Sequence, residues 1–265
     1  MHKPLRIAAI AATCAVAGAA LYGTGVATAD QSTANSTHEP YNIGLLVKDI
    51  DTYYGTTLDS NGVYQASADS QYAKDLARID AAAMKTIDQA ARKAHHRGEN
   101  PAVVFDIDDT LLLSLDYEKK TNYTYNSASW ATYVAQADRP AVFGTPELVA
   151  YAESKGVEVF YNSGLKESQR VSAVANLKKV GVDINLDADH MFLKDAANPP
   201  AYLSDCATAG TWTCTTVQYK SGTREHIEDD LGYNIVANFG DQYSDLEGGY
   251  ADKTYKLPNP TYFVS

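Results

Sequence analysis

An aspartate stands inside the apolar, β-rich run Ala102–Ile107 (Ala-Val-Val-Phe-Asp-Ile), a place where a carboxylate is costly unless it is given a partner or a chemical role. In an extended chain, residues two apart point to one side, so Asp106 and Asp108 enter a common site. One carboxylate of such a pair can attack phosphorus as a nucleophile. The other can protonate the leaving alkoxide and later take a proton from water. Three further runs end in residues that complete this chemistry: Val157–Asn162 before Ser163, Thr216–Tyr219 before Lys220, and Asn234–Phe239 before Asp241 and Asp245. Carboxylates gathered without His or Cys suit a hard cation such as Mg²⁺, which bridges carboxylates to a phosphate. A hydroxyl and an ammonium beside it suit the remaining charge of a phosphoryl group. Thr110, more than Asp109, is expected to support the loop by a hydrogen bond. Singly, each residue has an ordinary reading, because Asp and Ser cap helices and Gly-Asp marks turns. Four separate run ends delivering such groups favour one site.

The elements that must position these residues read as strands alternating with helices. Apolar residues at helical spacing between Asn42 and His96, clearest at Tyr72, Leu76, Ile79, Ala83 and Ile87, predict an N-terminal helical segment of two or more helices. Helices are also expected at Pro146–Lys155, stopped by Gly156, and at Lys166–Val180, with Val171, Val174 and Leu177 inward and Gly181 just past the end. His190–Leu193 and Thr216–Tyr219 read as short strands, the second followed by a helix capped by Thr223. Residues 113–144, rich in Tyr, Asn, Ser and Trp, read as a small inserted helical cap. Its Tyr117, Tyr123, Tyr125, Trp130 and Tyr133 either stack on a leaving group or form mainly cap core. The fold class expected is α/β, a doubly wound parallel sheet, whose ligands bind beyond the carboxyl ends of the strands.

Composition narrows the partners. Residues 1–29 open with basic residues, run through an apolar stretch and end on Ala27-Thr28-Ala29, the pattern of a cleaved signal peptide rather than an anchor. Cleavage there removes two basic residues and no acids, taking the net charge from −11 to −13. Such a charge disfavours nucleic acid and anionic membrane. Residues 30–40 are polar and aperiodic and read as a flexible tail, leaving 41–265 as one domain. Export implies an oxidising compartment, where Cys206 and Cys214 are expected to pair as a disulfide, their spacing being poor for zinc. Oligomeric state, monomer or homo-oligomer, stays open.

Val103–Leu112 (Val-Val-Phe-Asp-Ile-Asp-Asp-Thr-Leu-Leu) resembles the first motif of the haloacid dehalogenase superfamily, Asp-x-Asp-x-Thr after a hydrophobic strand. Val159–Gly164, Lys220 and Asn238–Leu246 are similar to its second, third and fourth motifs, in order. The last, with Lys256–Val264, resembles the branch of class B-type acid phosphatases and plant vegetative storage proteins. The resemblance implies an acid phosphatase with Asp106 as nucleophile, Asp108 as acid/base, and Ser163 and Lys220 on the phosphate. It also implies Mg²⁺ held by Asp106, the Asp108 carbonyl and Asp241, with Asp245 assisting. Leu165-Lys166 stands where many relatives carry Arg after the second motif. The substrate implied is a small phosphomonoester. The alternatives are a non-catalytic storage or binding protein of the same fold and a phosphotransferase to alcohol acceptors; the carboxylate at Asp108 favours phosphoester chemistry over dehalogenation.

Overall fold

The computed structural model describes residues 40–265, so the expectations of a signal peptide at 1–29 and of a tail at 30–40, its last residue apart, lie outside the described residues. Two helices lead: α1 (Ile43–Tyr54), capped by the Asn42 side chain, and α2 (Gln71–Arg97), capped by Ser70, with the short pair β1 (Thr57–Leu58) and β2 (Tyr64–Gln65) between them. Tyr72, Leu76, Ala83 and Ile87 of α2 are fully buried, as their spacing requires. β3 (Pro101–Phe105) follows. Then come two cap helices, α3 (Leu115–Lys120) and α4 (Ser127–Ala135), before α5 (Thr145–Ser154) and β4 (Glu158–Lys166).

After a 3₁₀ turn, α6 (Arg170–Lys179) buries Ala173, Asn176 and Leu177. Val171 is 82% exposed, contrary to the inward position expected; two residues from Ala173, it lies about 200° around the helix from that face. β5 (Met191–Lys194) leads to a small antiparallel pair, β6 (Ala207–Thr208) and β7 (Thr211–Trp212), bridged by the Cys206–Cys214 disulfide. α7 (Thr216–Glu225) runs on through a π-helical turn at His226–Asp230. β8 (Asn234–Gly240), α8 (Tyr243–Leu246) and β9 (Thr254–Lys256) complete the chain order.

The expected strand at Thr216–Tyr219 is instead the first turn of α7. Thr215 and Gln218 form a capping box there, Gln218 N donating to Thr215 Oγ1 (3.1 Å) and Thr215 N to Gln218 Oε1 (2.9 Å), and this reciprocal pairing outweighs the β preference of Thr-Val-Gln-Tyr. Thr223, expected as a cap, lies inside the helix and donates to the Tyr219 carbonyl (2.9 Å).

The central sheet has the order β5-β4-β3-β8-β9, parallel throughout. β3 is buried along its whole length. Its Val103 and Phe105 join the larger core with α2 and α5 residues, while Ala102 and Val104 face a smaller core with Phe160, Ile227 and Ile235. That alternation is what a strand covered on both faces demands. Beneath the strand ends the rings stack: Phe105 on Phe239 at 4.5 Å and Phe239 on Tyr255 at 4.9 Å. This aromatic row ties β3, β8 and β9 together directly under the residues that follow them.

Candidate active site

β3 and β8 deliver the residues after their ends to one rim, to which β4 adds Asn162–Gly164 from within the strand and β5 its last residue, Lys194. Asp106 follows β3 and Asp241 follows β8, and both are nearly fully buried. Asp245 sits on α8, where its Oδ2 accepts from Gln242 N (3.0 Å). Oxygens of Asp106, Asp241 and Asp245 lie within 4.8 Å of one another. Gly240 permits this closeness: a Cβ there would sit 2.4 Å from Asp245 Cβ.

The cation inside the cluster is Lys220, brought by α7 rather than by a strand. Its Nζ donates to Asp106 Oδ1 (2.6 Å), lies 2.9 Å from Asp245 Oδ1, and donates to the Asn162 carbonyl. Those three acceptors use all three ammonium hydrogens. Asn162 grips the same helix through Nδ2 to the Lys220 carbonyl (2.9 Å). The disulfide-bridged pair supports α7 from behind, with Leu203, Ala207 and Cys214 packed on Tyr219.

Burial and the crowding of like charges leave this cluster short of positive charge. Burial, opposed by Lys220 and reinforced by Asp245 and Asp108, holds the Asp106 carboxyl above the usual range. Burial, then Asp245, Asp106 and Asp109, push Asp241 well up. Burial alone would lower Lys220, but Asp106 and Asp245 outweigh it and hold the ammonium above its ordinary value. An all-oxygen set of buried carboxylates with one lysine fits a hard divalent cation.

Asp108 stands at the mouth, its Oδ1 accepting from Arg139 Nη1 at 2.5 Å. Arg139 is 3% exposed and its guanidinium lies 5.4 Å from the Trp130 ring, so the pair joins the loop after β3 to the cap. Its backbone is held on both sides by the Asn176 side chain (3.0 and 2.8 Å). Asp109, in the left-handed region at φ 55°, accepts from Ser114 N (2.8 Å) and from the Tyr262 hydroxyl (2.9 Å). The loop is therefore fixed by Asp109. The Thr110 hydroxyl, expected in that role, is fully buried and finds no partner among the described residues.

These groups line a cavity of about 520 Å³ that includes Asp106, Asp108, Lys220, Asp241 and Asp245. Ser163 is fully buried, its Oγ accepting from Leu165 N (3.1 Å), and the cavity wall at that point is Gly164. Lys194, at the end of β5, lines the cavity too, 5.5 Å from the Tyr219 ring. Burial and then Lys220 lower its pKa. On the cap side, Tyr123, Tyr125 and Trp130 face the cavity, whereas Tyr117 and Tyr133 pack as cap core, Tyr117 5.0 Å from Trp130 and 5.3 Å from Tyr133.

Arg139, Asn162 and Lys194 were not anticipated from the sequence. For Lys194 the signal was present, since it stands just past the expected strand His190–Leu193. Asn162 is the last residue of the expected strand Val157–Asn162, whereas Arg139 carries no local pattern that marks it. Fully buried Arg224 is another such residue: its guanidinium donates to the carbonyls of Asp245 (2.6 Å), Glu247 (2.5 Å) and Gly249 (2.9 Å) and so holds the loop that carries Asp245.

Residues 52–265 match the family described as HAD superfamily, subfamily IIIB (acid phosphatase), and the chain belongs to that family. It is 34% identical over 166 residues to the stem 28 kDa glycoprotein of Glycine max, covering 61% of this chain and 59% of that protein. Vegetative storage protein 1 of Arabidopsis thaliana is 34% identical over 61% of this chain and 54% of its own length, and acid phosphatase 1 of Solanum lycopersicum 30% identical over 61% and 56%. Each of these three matches spans less than two thirds of the relative. Among solved structures, the class C acid phosphatase from Bacillus anthracis shares the fold, with a TM-score of 0.54 at 23% identity over 73% of this chain and 81% of that one.

Proposed function

We propose that this chain hydrolyses small phosphomonoesters through an aspartyl-phosphate intermediate on Asp106, with Mg²⁺ as cofactor. The observation that carries the reading is the shared lysine. Lys220 pairs with Asp106 Oδ1 at 2.6 Å inside a buried carboxylate cluster, so a positive charge sits on the group placed to attack phosphorus and opposes the upward shift that burial imposes on it. Asp106, Asp241, the Asp108 carbonyl and Asp245 would hold the Mg²⁺, which would supply charge neutralisation for the phosphoryl oxygens.

In the first step an Asp106 oxygen bonds to phosphorus, the bond from phosphorus to the leaving oxygen breaks, and Asp108 gives that oxygen its proton. In the second, water attacks phosphorus and gives its proton to Asp108, the bond to Asp106 breaks, and phosphate leaves. Arg139 fixes the Asp108 rotamer between the steps. Lys194, the backbone at Gly164 and the hydroxyl of Ser163, whose Oγ accepts from Leu165 N and keeps its own hydrogen to donate, would complete the phosphoryl pocket. Lys220, whose hydrogens are already engaged, would exchange an acceptor when substrate enters. A related Bacillus anthracis structure, 24% identical, is described with tungstate bound, an oxyanion of phosphate-like charge and shape.

Export of the chain is supported by the signal-like residues 1–29 and by the disulfide between Cys206 and Cys214. Among the described residues, no helix is long and apolar enough to cross a membrane.

The test is phosphate release from p-nitrophenyl phosphate across acidic to neutral pH, with Mg²⁺ or EDTA. Metal-dependent release is expected. A folded chain that binds Mg²⁺ yet turns over nothing would favour the storage reading, to which the names of two Arabidopsis relatives point. Product analysis with an added alcohol separates hydrolysis from phosphotransfer.

A further inference from the structure

We propose that the segment after β9, residues 257–264, is a positioning element for the carboxylate cluster, and that Asn259 raises the affinity for Mg²⁺ by holding Asp241 in one orientation. The inference rests on the metal reading above and concerns a residue that does not itself touch the reacting atoms.

The segment is tied to the site at several points. Leu257 N donates to the Gly240 carbonyl (2.9 Å), extending the β8–β9 pairing to the residue before Asp241. Asn259 Nδ2 then donates to Asp241 Oδ2 at 2.6 Å, and Gln242 Nε2 donates to the same oxygen at 2.7 Å. Both amides thus engage Oδ2 and leave Oδ1 without an amide donor. Gln242 is itself held by the segment, its Oε1 accepting from Val264 N (3.0 Å). Ser244 Oγ donates to the Val264 carbonyl (3.0 Å), and the Tyr262 hydroxyl reaches Asp109 (2.9 Å). Loops following two different strands, β3 and β8, are therefore braced by one stretch of eight residues.

The amide of Asn259 can point only one way. Its Oδ1 accepts from Thr261 N (2.9 Å) and from Thr261 Oγ1 (2.6 Å), which leaves Nδ2 for Asp241. Asn259 also lies between Pro258 and Pro260. Proline fixes its own φ and restricts the residue before it to extended conformations, so the backbone carrying the amide is largely ordered in advance. A neutral amide is well suited here, because it orients a carboxylate without adding a charge that would compete with the cation. Hydrogen bonds to metal-ligating carboxylates commonly contribute about 10–100-fold to metal affinity. The run Leu-Pro-Asn-Pro-x-Tyr, a marker of resemblance in the sequence, acquires a physical role on this account.

The experiment is isothermal titration of Mg²⁺ into the full chain and its Asn259→Ala and Thr261→Val variants, with melting curves in EDTA. Asn259→Ala should raise the Mg²⁺ Kd about 10–100-fold. Thr261→Val keeps the amide but loosens its orientation, and should raise it by a smaller factor. Turnover of both variants should recover at saturating Mg²⁺, which a purely structural defect would not allow. Wild-type affinity in both variants, whatever their melting temperatures, would overturn the inference. Absence of Mg²⁺ binding by the wild type would instead overturn the metal reading on which it stands.

Discussion

The floor of the cavity and the cap above it are built to different standards. On the floor, Asp106, Asp241, Asp245 and Lys220 are all within a few per cent of complete burial, and each is held by side chains from other elements. In the cap, Tyr125 is 67% exposed. The contrast follows from the chemistry proposed. Transition-state charge must meet groups already in place, whereas a leaving group of variable shape needs only apolar surface and a few adaptable contacts. Arg139 is the joint between the two regions, with Asp108 on one side and Trp130 on the other.

The largest effect should fall on the floor. Asp106→Asn keeps the side-chain shape but removes the proposed nucleophile, and kcat should fall on the order of 10⁴-fold in a phosphate-release assay. Asp108→Asn should cost about 10²–10⁴-fold, and with p-nitrophenyl phosphate, whose leaving group needs no proton, the intermediate should accumulate because water is no longer activated. A loss below tenfold in either would break the contrast at its stronger end.

Substitution at the joint should cost less. Arg139→Met leaves Asp108 without its guanidinium and should lower kcat about tenfold with little change in KM, while Arg139→Lys restores part of the rate. Equal effects on kcat and KM would place Arg139 on the substrate instead. Cap residues should come last. Trp130→Ala and Tyr125→Ala should change KM and substrate preference severalfold while leaving the Mg²⁺ requirement intact.

The cap also makes a prediction about pH and stability. Glu118 on α3 is 5% exposed, and burial, then Asp109, raise its carboxyl to about 7. The folded state therefore keeps a proton that the unfolded chain gives up at lower pH. The stability from the neutral carboxyl is full below its ordinary value of 4.5 and is lost as pH rises through about 7. Glu118→Gln should raise stability by about 2–3 kcal/mol at pH 8, with no gain at pH 4. Denaturant melts at both pH values would show it, and an equal gain at the two would point to packing.

How much of this was legible in the sequence follows the same division. Asp106, Asp108, Asp241 and Asp245 were reached through a topological rule, because apolar runs announce buried strands and the residues just past them form one rim. Lys220 was placed on the rim for the wrong local reason. Its four preceding residues have β character, and the capping pair Thr215 and Gln218, which was there to be read, starts a helix instead. Arg139 and Arg224 are single polar residues in unremarkable surroundings. Only the tertiary fold brings them under the site, and no local periodicity records that. Thr110 illustrates the converse: a motif position suggested a hydrogen bond that the structure assigns to Asp109.

The most direct test of the central claim is acid-quenched mass spectrometry of the Asp108→Asn variant during turnover of p-nitrophenyl phosphate, whose leaving group departs without a proton, in the presence of Mg²⁺. The account predicts one added phosphoryl group, on the peptide carrying Asp106, that is absent when Asp106 is also changed to Asn. Continued phosphate release by the Asp106→Asn single variant, with no phosphorylated peptide in either background, would contradict it.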